Sequence, residues 1–508
     1  MSQSDSNRNP AANQLQAGTA AIQVSIPEVR HLIGGHWVHG SGPTLPVHNP
    51  SQGTVVTEFA SADRDNVDAA ARSAREAFDS QTWQGLSPAQ RARMLWKLAD
   101  AVEDHTEELA RLETLNTGKP LTVTRSFEVP QAAEILRFNA GWATKLNGET
   151  RQVSLPGQWH TYTQRQPLGV TALIIPWNNP LVMAAAKLGP ALAAGCTAVL
   201  KPAELTPLSA VRLGELAQQI GFPAGVINIL TGLGETTGEA LVSHPGVDKV
   251  SFTGSTVVGK HLQRVTSEHL TRLALELGGK SPAVIYDDAD LSAAAQGAAL
   301  SIFSNSGQVC AAGSRLYVQE NVAEEVIDQI VKIAENLPVG DGFEPQVRMG
   351  PVISQSQQDR VLRYVREAAG DTAEVLVGGT ELDRPGYFVR PTVLRVSDRE
   401  LPVVQEEIFG PVLTVQTFSA EANISEVLKS MHDTRYGLSA YVWTKSLERA
   451  HRIARGARAG NVRVNSHIGM DPAMPFGGFR ESGYGKENGR EGVESYTELK
   501  SVAISIAS

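Results

Sequence analysis

The spacing of apolar residues changes several times along this chain, and each change marks a new kind of element. Ordered patterning begins near His31, where HLIGGHWVHG has the form of a short hairpin. From Asp63 to about Ala110 the apolar positions recur at helical spacing, with a turn at 85–88. Ser87 followed by Pro88 predicts a helix start, serine as cap and proline in the first turn. A further helix is expected over 129–146. Over 150–166 the pattern alternates about a Pro-Gly pair, which predicts an exposed hairpin whose edge could pair with another subunit.

Strands and helices then alternate. Strands are expected at 170–175, 197–200, 226–230, 250–252 and 273–276. Helices are expected at 181–194, 208–220, 236–244 and 255–266, two of them closed by Gly195 and Gly221. Short apolar strands joined by helices imply a parallel sheet covered on both faces, with ligands at the carboxyl ends of its strands. A second α/β block runs from Ser281 to about Phe476, with strands at 283–285, 316–318, 412–418 and 440–443 and helices at 322–337 and 359–369.

Composition narrows the function. The chain has 508 residues and a net charge of -9, which argues against nucleic acid or an anionic membrane as partner. It has 2 cysteines, Cys196 and Cys310, which fits a reducing cytoplasm and excludes a disulfide framework. No CxxC or HExxH spacing occurs, so no metal site is expected. The apolar runs are too short to cross a bilayer, and the polar residues 1–27 read as a disordered tail rather than a secretory signal.

Four segments could carry chemistry, and each has a plainer reading. Cys310 lies in SNSGQVCAAGSR, small residues within an otherwise apolar helical pattern; a lone cysteine is more often a buried hydrophobe. FTGSTVVGK runs from a strand end into a helix, where free N–H groups favour a pyrophosphate, but a simple strand-to-helix turn looks similar. Asn178 and Asn179 lie between Pro176 and Pro180, where an amide could donate to an oxyanion or merely make a turn. Glu276 ends a strand before Gly278 and Gly279, as a general base or a salt-bridged loop residue.

Taken in order, the runs PWNNP (176–180), KPAE (201–204), FTGS (252–255), LELGGKSP (275–282), GQVC (307–310), EEIFGPV (406–412) and PFGG (475–478) resemble the aldehyde dehydrogenase superfamily, over roughly residues 30 to 500. The resemblance implies an α/β fold with a Rossmann-type NAD-binding domain (28–148 and 168–278), a catalytic domain (279–478) and a small β oligomerisation element (149–167 and 479–508). It implies a homodimer or homotetramer.

It also implies roles. Cys310 would attack the aldehyde, and Asn178 with the Cys310 N–H would stabilise the oxyanion, an effect of about 3–4 kcal/mol per donor in other enzymes. Glu276 would activate the water that hydrolyses the thioester, which favours a free acid over a coenzyme A product. Lys187 joins these as a catalytic candidate. The cofactor set would be Ile174, Pro176, Trp177, Lys201, Glu204, Phe252, Gly254, Ser255, Gly278, Glu407 and Phe409. A carboxylate at Glu204 suits ribose hydroxyls and repels a 2′-phosphate, so NAD is favoured over NADP.

The substrate pocket implied by the motifs comprises Asn179, Met183, Ala186, Ser304, Val309, Ala311, His467, Met470 and Phe476. Small residues at several of these positions leave volume, and methionine adapts to irregular ligands. The run NSHIGMDPAMPFGG is similar to that of arylacetaldehyde enzymes, so a bulky or aromatic aldehyde of the phenylacetaldehyde or indole acetaldehyde type is expected. Aliphatic, amino or betaine aldehydes are the rival substrates, and a cysteine hydrolase without redox chemistry is the rival class. The sequence departs from the commonest pattern at Asn179, usually aromatic, and at Arg463, usually tryptophan.

Overall fold

The computed structural model describes residues 24–370, 373–468 and 471–506. Most of the expected tail, and Met470, lie outside the described residues.

Two sheets organise the chain. The first has eight strands in the order Gly483–Tyr484, Arg272–Glu276, Lys249–Thr253, Val170–Ile174, Thr197–Lys201, Ile227–Ile229, His31–Ile33, His36–Val38. Its five central strands are parallel and its edge pairings antiparallel. Val170–Ile174 and Thr197–Lys201 are buried along their whole length, because apolar helices cover both faces. The helices Pro88–Asp104, Val129–Trp142, Pro180–Ala194 and Leu208–Gln219 supply one core; Arg64–Asp79 and Thr256–Thr266 contribute to the other.

The second sheet has seven strands in the order Ala373–Val377, Thr392–Val396, Val412–Phe418, Arg315–Gln319, Pro282–Ile285, Ser439–Trp443, Asn461–Val464. All neighbours are parallel except the first pair. The chain is therefore α/β with two open sheets, the first in Rossmann order.

Local signals were sound where the structure is local. Ser87 caps Pro88–Asp104 in a reciprocal box with Gln90, and Gly195 ends Pro180–Ala194 in a left-handed conformation. The long helical pattern from 63 resolves into three helices, Arg64–Asp79, Pro88–Asp104 and Thr106–Thr117. Two expectations need correction. The strand Gln158–Pro167 pairs along its full length with Thr497–Ile506, within the small β element expected of 149–167 and 479–508, rather than with the arm before the Pro-Gly pair, which meets it through an isolated bridge, Thr150 to Tyr162, flanking backbone bonds and the Thr161 and Thr163 hydroxyls. A continuous ten-residue register satisfies more backbone groups than the short polar arm before the Pro-Gly turn could. Cys310 also does not lie on a helix: Leu291–Phe303 ends before it.

Candidate active site

The two sheets meet so that the carboxyl ends of the first face the amino ends of strands in the second. Val170–Ile174 lies between Thr197–Lys201 and Lys249–Thr253, where strand order reverses, the place at which open α/β sheets form a crevice. Beyond its buried end at Ile174 follow Pro176, Trp177 and Asn178; Lys201 and Glu276 end their own strands, and Gly254 and Ser255 follow Lys249–Thr253. From the second sheet come the segments that enter its strands: Gly278 and Gly279 before Pro282–Ile285, Cys310 before Arg315–Gln319, and Glu407 and Phe409 before Val412–Phe418.

The cysteine segment is held by its surroundings rather than by regular structure. Asn305, Ser306 and Gly307 take left-handed φ values of 49°, 55° and 72° in succession. For residues with side chains this costs on the order of 1–3 kcal/mol each, and persists only when neighbours over-determine it. Here Ser306 Oγ donates to the Gly350 carbonyl at 2.7 Å, and buried Gln308 accepts the Ile353 N–H at 2.8 Å. Asn178 Nδ2 donates to the Gln308 carbonyl at 2.8 Å, two residues before Cys310. An amide carries two N–H groups, so the second remains for a ligand.

Cys310 is half-buried and packs with Val309, Ala311, Leu438 and Phe476. Its thiol is pushed up to about 12, first by burial and then by the carboxylates of Glu407 and Glu276. Cys196 differs: it is fully buried, donates to the Tyr496 carbonyl at 3.3 Å, and is a packing residue.

Glu276 is buried against the Gly477 backbone, and neither carboxylate oxygen has a hydrogen-bond partner among the described residues. Burial raises it well above the usual carboxylate range; the charge of Glu487 adds to this, while Lys187 and Lys486 oppose it. Behind it, fully buried Lys187 donates to Ser251 Oγ at 2.9 Å and is ion-paired with Glu487. Glu487 carries no motif in the sequence and was missed. The available signal was indirect: a lysine within LVMAAAKLGPALAA has to find an anion.

The Gly278–Gly279 turn separates this chemistry from a second carboxylate. A Cβ on Gly278 would overlap the Glu407 carboxylate, and one on Gly279 would overlap the Cys310 carbonyl oxygen. The Gly279 N–H donates to Glu407 Oε1 at 3.0 Å, and burial raises Glu407 to about 7. Phe409 has φ 61° and meets Trp177 edge-on, ring centroids 5.2 Å apart. Its strap is tied to the helix Gln355–Ala369 by Gln357 on the Phe409 carbonyl and Arg360 on the Glu407 carbonyl. Lys201 is buried, with its ammonium 4.0 Å from Glu204. Ser255 caps Thr256–Thr266 by accepting the Val258 N–H, and buried Phe252 packs its ring against Gly254.

The expected pocket residues divide. Val309, Ala311 and Phe476 gather around Cys310. Asn179 is held from behind: Lys119 Nζ donates to its Oδ1 at 3.1 Å and to both Glu128 oxygens at 2.7 Å. Met183 and Ala186 pack with the core around Pro180–Ala194, and Ser304 is exposed at the end of Leu291–Phe303; among the described residues none of the three belongs to the cluster around Cys310. His467 is half-buried, and its carbonyl accepts from Arg463. Among the described residues no cluster suited to a metal ion occurs, and no helix is long and apolar enough to cross a membrane.

This arrangement has close counterparts. The aldehyde dehydrogenase family model matches residues 37–502. A phenylacetaldehyde dehydrogenase of Pseudomonas fluorescens is 48% identical over 480 residues, covering 93% of this chain and 95% of that protein. The NAD+ complex of an aldehyde dehydrogenase from Bacillus cereus superposes with a TM-score of 0.92 at 43% identity, covering 95% of this chain and 97% of that one. PnpE from Pseudomonas sp. WBC-3, also solved with nicotinamide adenine dinucleotide, superposes at 0.91 with 41% identity, covering 94% and 98%. With a match that spans nearly the whole chain and the cysteine, carboxylate and asparagine gathered where the two sheets meet, the chain belongs to the aldehyde dehydrogenase family.

Proposed function

We propose that this enzyme oxidises a bulky or aromatic aldehyde to its carboxylic acid with NAD, through a thioester on Cys310. The observation that carries the reading is the pairing of a half-buried thiol with a buried carboxylate, Glu276, whose two oxygens have no hydrogen-bond partner among the described residues. A buried polar group left without a partner is costly, and such groups concentrate where chemistry needs them.

The donor set suits a dinucleotide. The N-terminus of Thr256–Thr266 and the Lys201 ammonium match a pyrophosphate and ribose, Glu204 and Glu407 match ribose hydroxyls, and the Trp177–Phe409 pair matches a flat ring. Ile174, Pro176, Phe252, Gly254, Ser255 and Gly278 are the remaining members of the proposed cofactor set. Glu204 disfavours a 2′-phosphate and so favours NAD over NADP. NAD supplies the two-electron acceptor that takes the aldehyde hydrogen.

The chain's own residues do the rest. The Cys310 thiol gives its proton to solvent and its sulfur bonds to the carbonyl carbon, giving a thiohemiacetal whose oxyanion is met by Asn178 Nδ2 and the Cys310 N–H. Oxidation leaves a thioester. Glu276 takes a proton from water, the hydroxide adds to the acyl carbon, the carbon–sulfur bond breaks, the acid leaves, and the Cys310 thiolate recovers a proton from Glu276 to restore the thiol. The Lys187–Glu487 ion pair acts on Glu276 through charge, Glu487 favouring the proton on Glu276 and Lys187 favouring its release.

Support for an arylacetaldehyde comes from the 48% identical phenylacetaldehyde dehydrogenase and from the apolar wall of Val309, Ala311 and Phe476. The test is NADH formation at 340 nm across an aldehyde panel, with wild type and Cys310→Ala. Activity that needs Cys310 and is highest in kcat/KM on phenylacetaldehyde is expected; equal or better kcat/KM on propanal sinks the substrate assignment while leaving the mechanism.

A further inference from the structure

Cys310 occupies a corner of a tight turn. The Ala312 N–H donates to the Val309 carbonyl at 3.0 Å, which leaves Cys310 and Ala311 as the two central residues. The turn is anchored upstream by Asn178 on the Gln308 carbonyl. Its downstream anchor is Tyr441, buried in the strand Ser439–Trp443, whose Oη donates to the Ala311 carbonyl at 2.7 Å.

A phenol has one proton to give, and here it is committed to Ala311, so its oxygen lone pairs face a donor. One such donor is Arg463, the direct register partner of Tyr441 on the neighbouring parallel strand, beside the Ser301 hydroxyl. Its guanidinium donates to Tyr441 Oη at 2.7 Å and also reaches the His467 carbonyl at 3.4 Å. A charged donor polarises the phenol and strengthens the bond the phenol makes in turn. Two segments of the site thus hang on one side chain: the turn that presents the thiol and the segment at His467.

We propose that Tyr441 and Arg463 are a positioning pair, which fixes the Cys310 turn relative to the His467 segment and so sets thiol presentation and pocket shape together. The inference rests on the reading of Cys310 as nucleophile. It also accounts for Arg463, which stands where the NVRVN run usually carries tryptophan and which the catalytic roles leave without a purpose.

The test uses the full-length enzyme as wild type, Tyr441→Phe, Arg463→Met, Arg463→Lys, the Tyr441→Phe/Arg463→Met double variant and Cys310→Ser. The readouts are kcat and KM on phenylacetaldehyde with NAD, and the rate of Cys310 alkylation by iodoacetamide. Tyr441→Phe is expected to lower kcat and the alkylation rate together by about tenfold, with KM nearly unchanged and melting close to wild type. Arg463→Met should act in the same direction, Arg463→Lys should recover most of the loss, and the double variant should be no worse than the worse single. Wild-type kcat and alkylation in Tyr441→Phe, or losses that multiply in the double variant, overturn the pair. Should Arg463→Met melt early, Tyr441→Phe decides alone, since it removes one oxygen from an unchanged ring. Oxidation persisting in Cys310→Ser would fail the nucleophile reading itself, a result distinct from an inactive Cys310→Ser beside an unaffected Tyr441→Phe.

Discussion

A carboxyl group buried without a partner is tolerated most easily when it keeps its proton. Glu276 is in that position, raised by burial and by Glu487. The unfolded chain releases this proton near the ordinary carboxylate value, whereas the folded chain holds it to higher pH. Glu276 therefore costs no stability at low pH and progressively more as pH climbs from the ordinary value through the raised one. Glu276→Gln removes the titration, so its melting temperature should gain on wild type more at pH 8 than at pH 5, read by scanning fluorimetry. An equal difference at both pH values contradicts the assignment. The same variant should release about one equivalent of NADH per site and then stall, because loss of a general base slows hydrolysis by about 10²–10⁴. Cys310, Glu276 and Asn178 were legible in the sequence only as an ordered set of motifs, since each alone also fits a structural role. Glu487 was not legible, because its meaning comes from Lys187, 300 positions away and joined to it by folding.

Between residues and sheets, legibility follows how local the determinant is. The Ser87–Gln90 box and the Gly195 stop depend on neighbours within one element, and the sequence pattern marks them. The segment leading into the Cys310 turn depends on contacts from Gly350, Ile353 and Asn178, and two of its three left-handed residues, Asn305 and Ser306, are not glycine. Its small residues were therefore read as part of a helix. The Gly279 position gives this dependence a test. A methyl group there would push on the Cys310 carbonyl oxygen, and overpacking of this kind costs about 1–3 kcal/mol. Gly279→Ala is expected to melt lower than wild type and to lose more than about tenfold in kcat, since displacing a nucleophile by a fraction of an ångström is amplified in rate. A protein that melts lower yet turns over normally would show that the turn does not hold the thiol in place.

Across the whole molecule, the first sheet contributes strand ends that are good for binding, and the second contributes the segments that enter its strands. That division explains why the candidate residues come from every part of the chain between 174 and 487 and why no single stretch looked catalytic. The ribbon of Gln158–Pro167 and Thr497–Ile506 stands apart from both sheets. It is two strands wide, and Thr497–Ile506 leaves Leu499, Ile504 and Ile506 exposed. Natural proteins rarely leave a long apolar edge open, because its unpaired N–H and C=O groups recruit other strands. A second copy of the chain is the occupant consistent with a homodimer or homotetramer, and a symmetric pairing would cover both edges at once. Leu499→Lys combined with Ile504→Lys should then reduce the solution mass by at least half in light scattering, without altering the far-ultraviolet dichroism of the subunit. If the mass is unchanged, the ribbon is not the contact; if wild type is already monomeric, the open edge must be protected by its own twist and flanking charges, among them the Arg272–Glu498 ion pair beside Leu499.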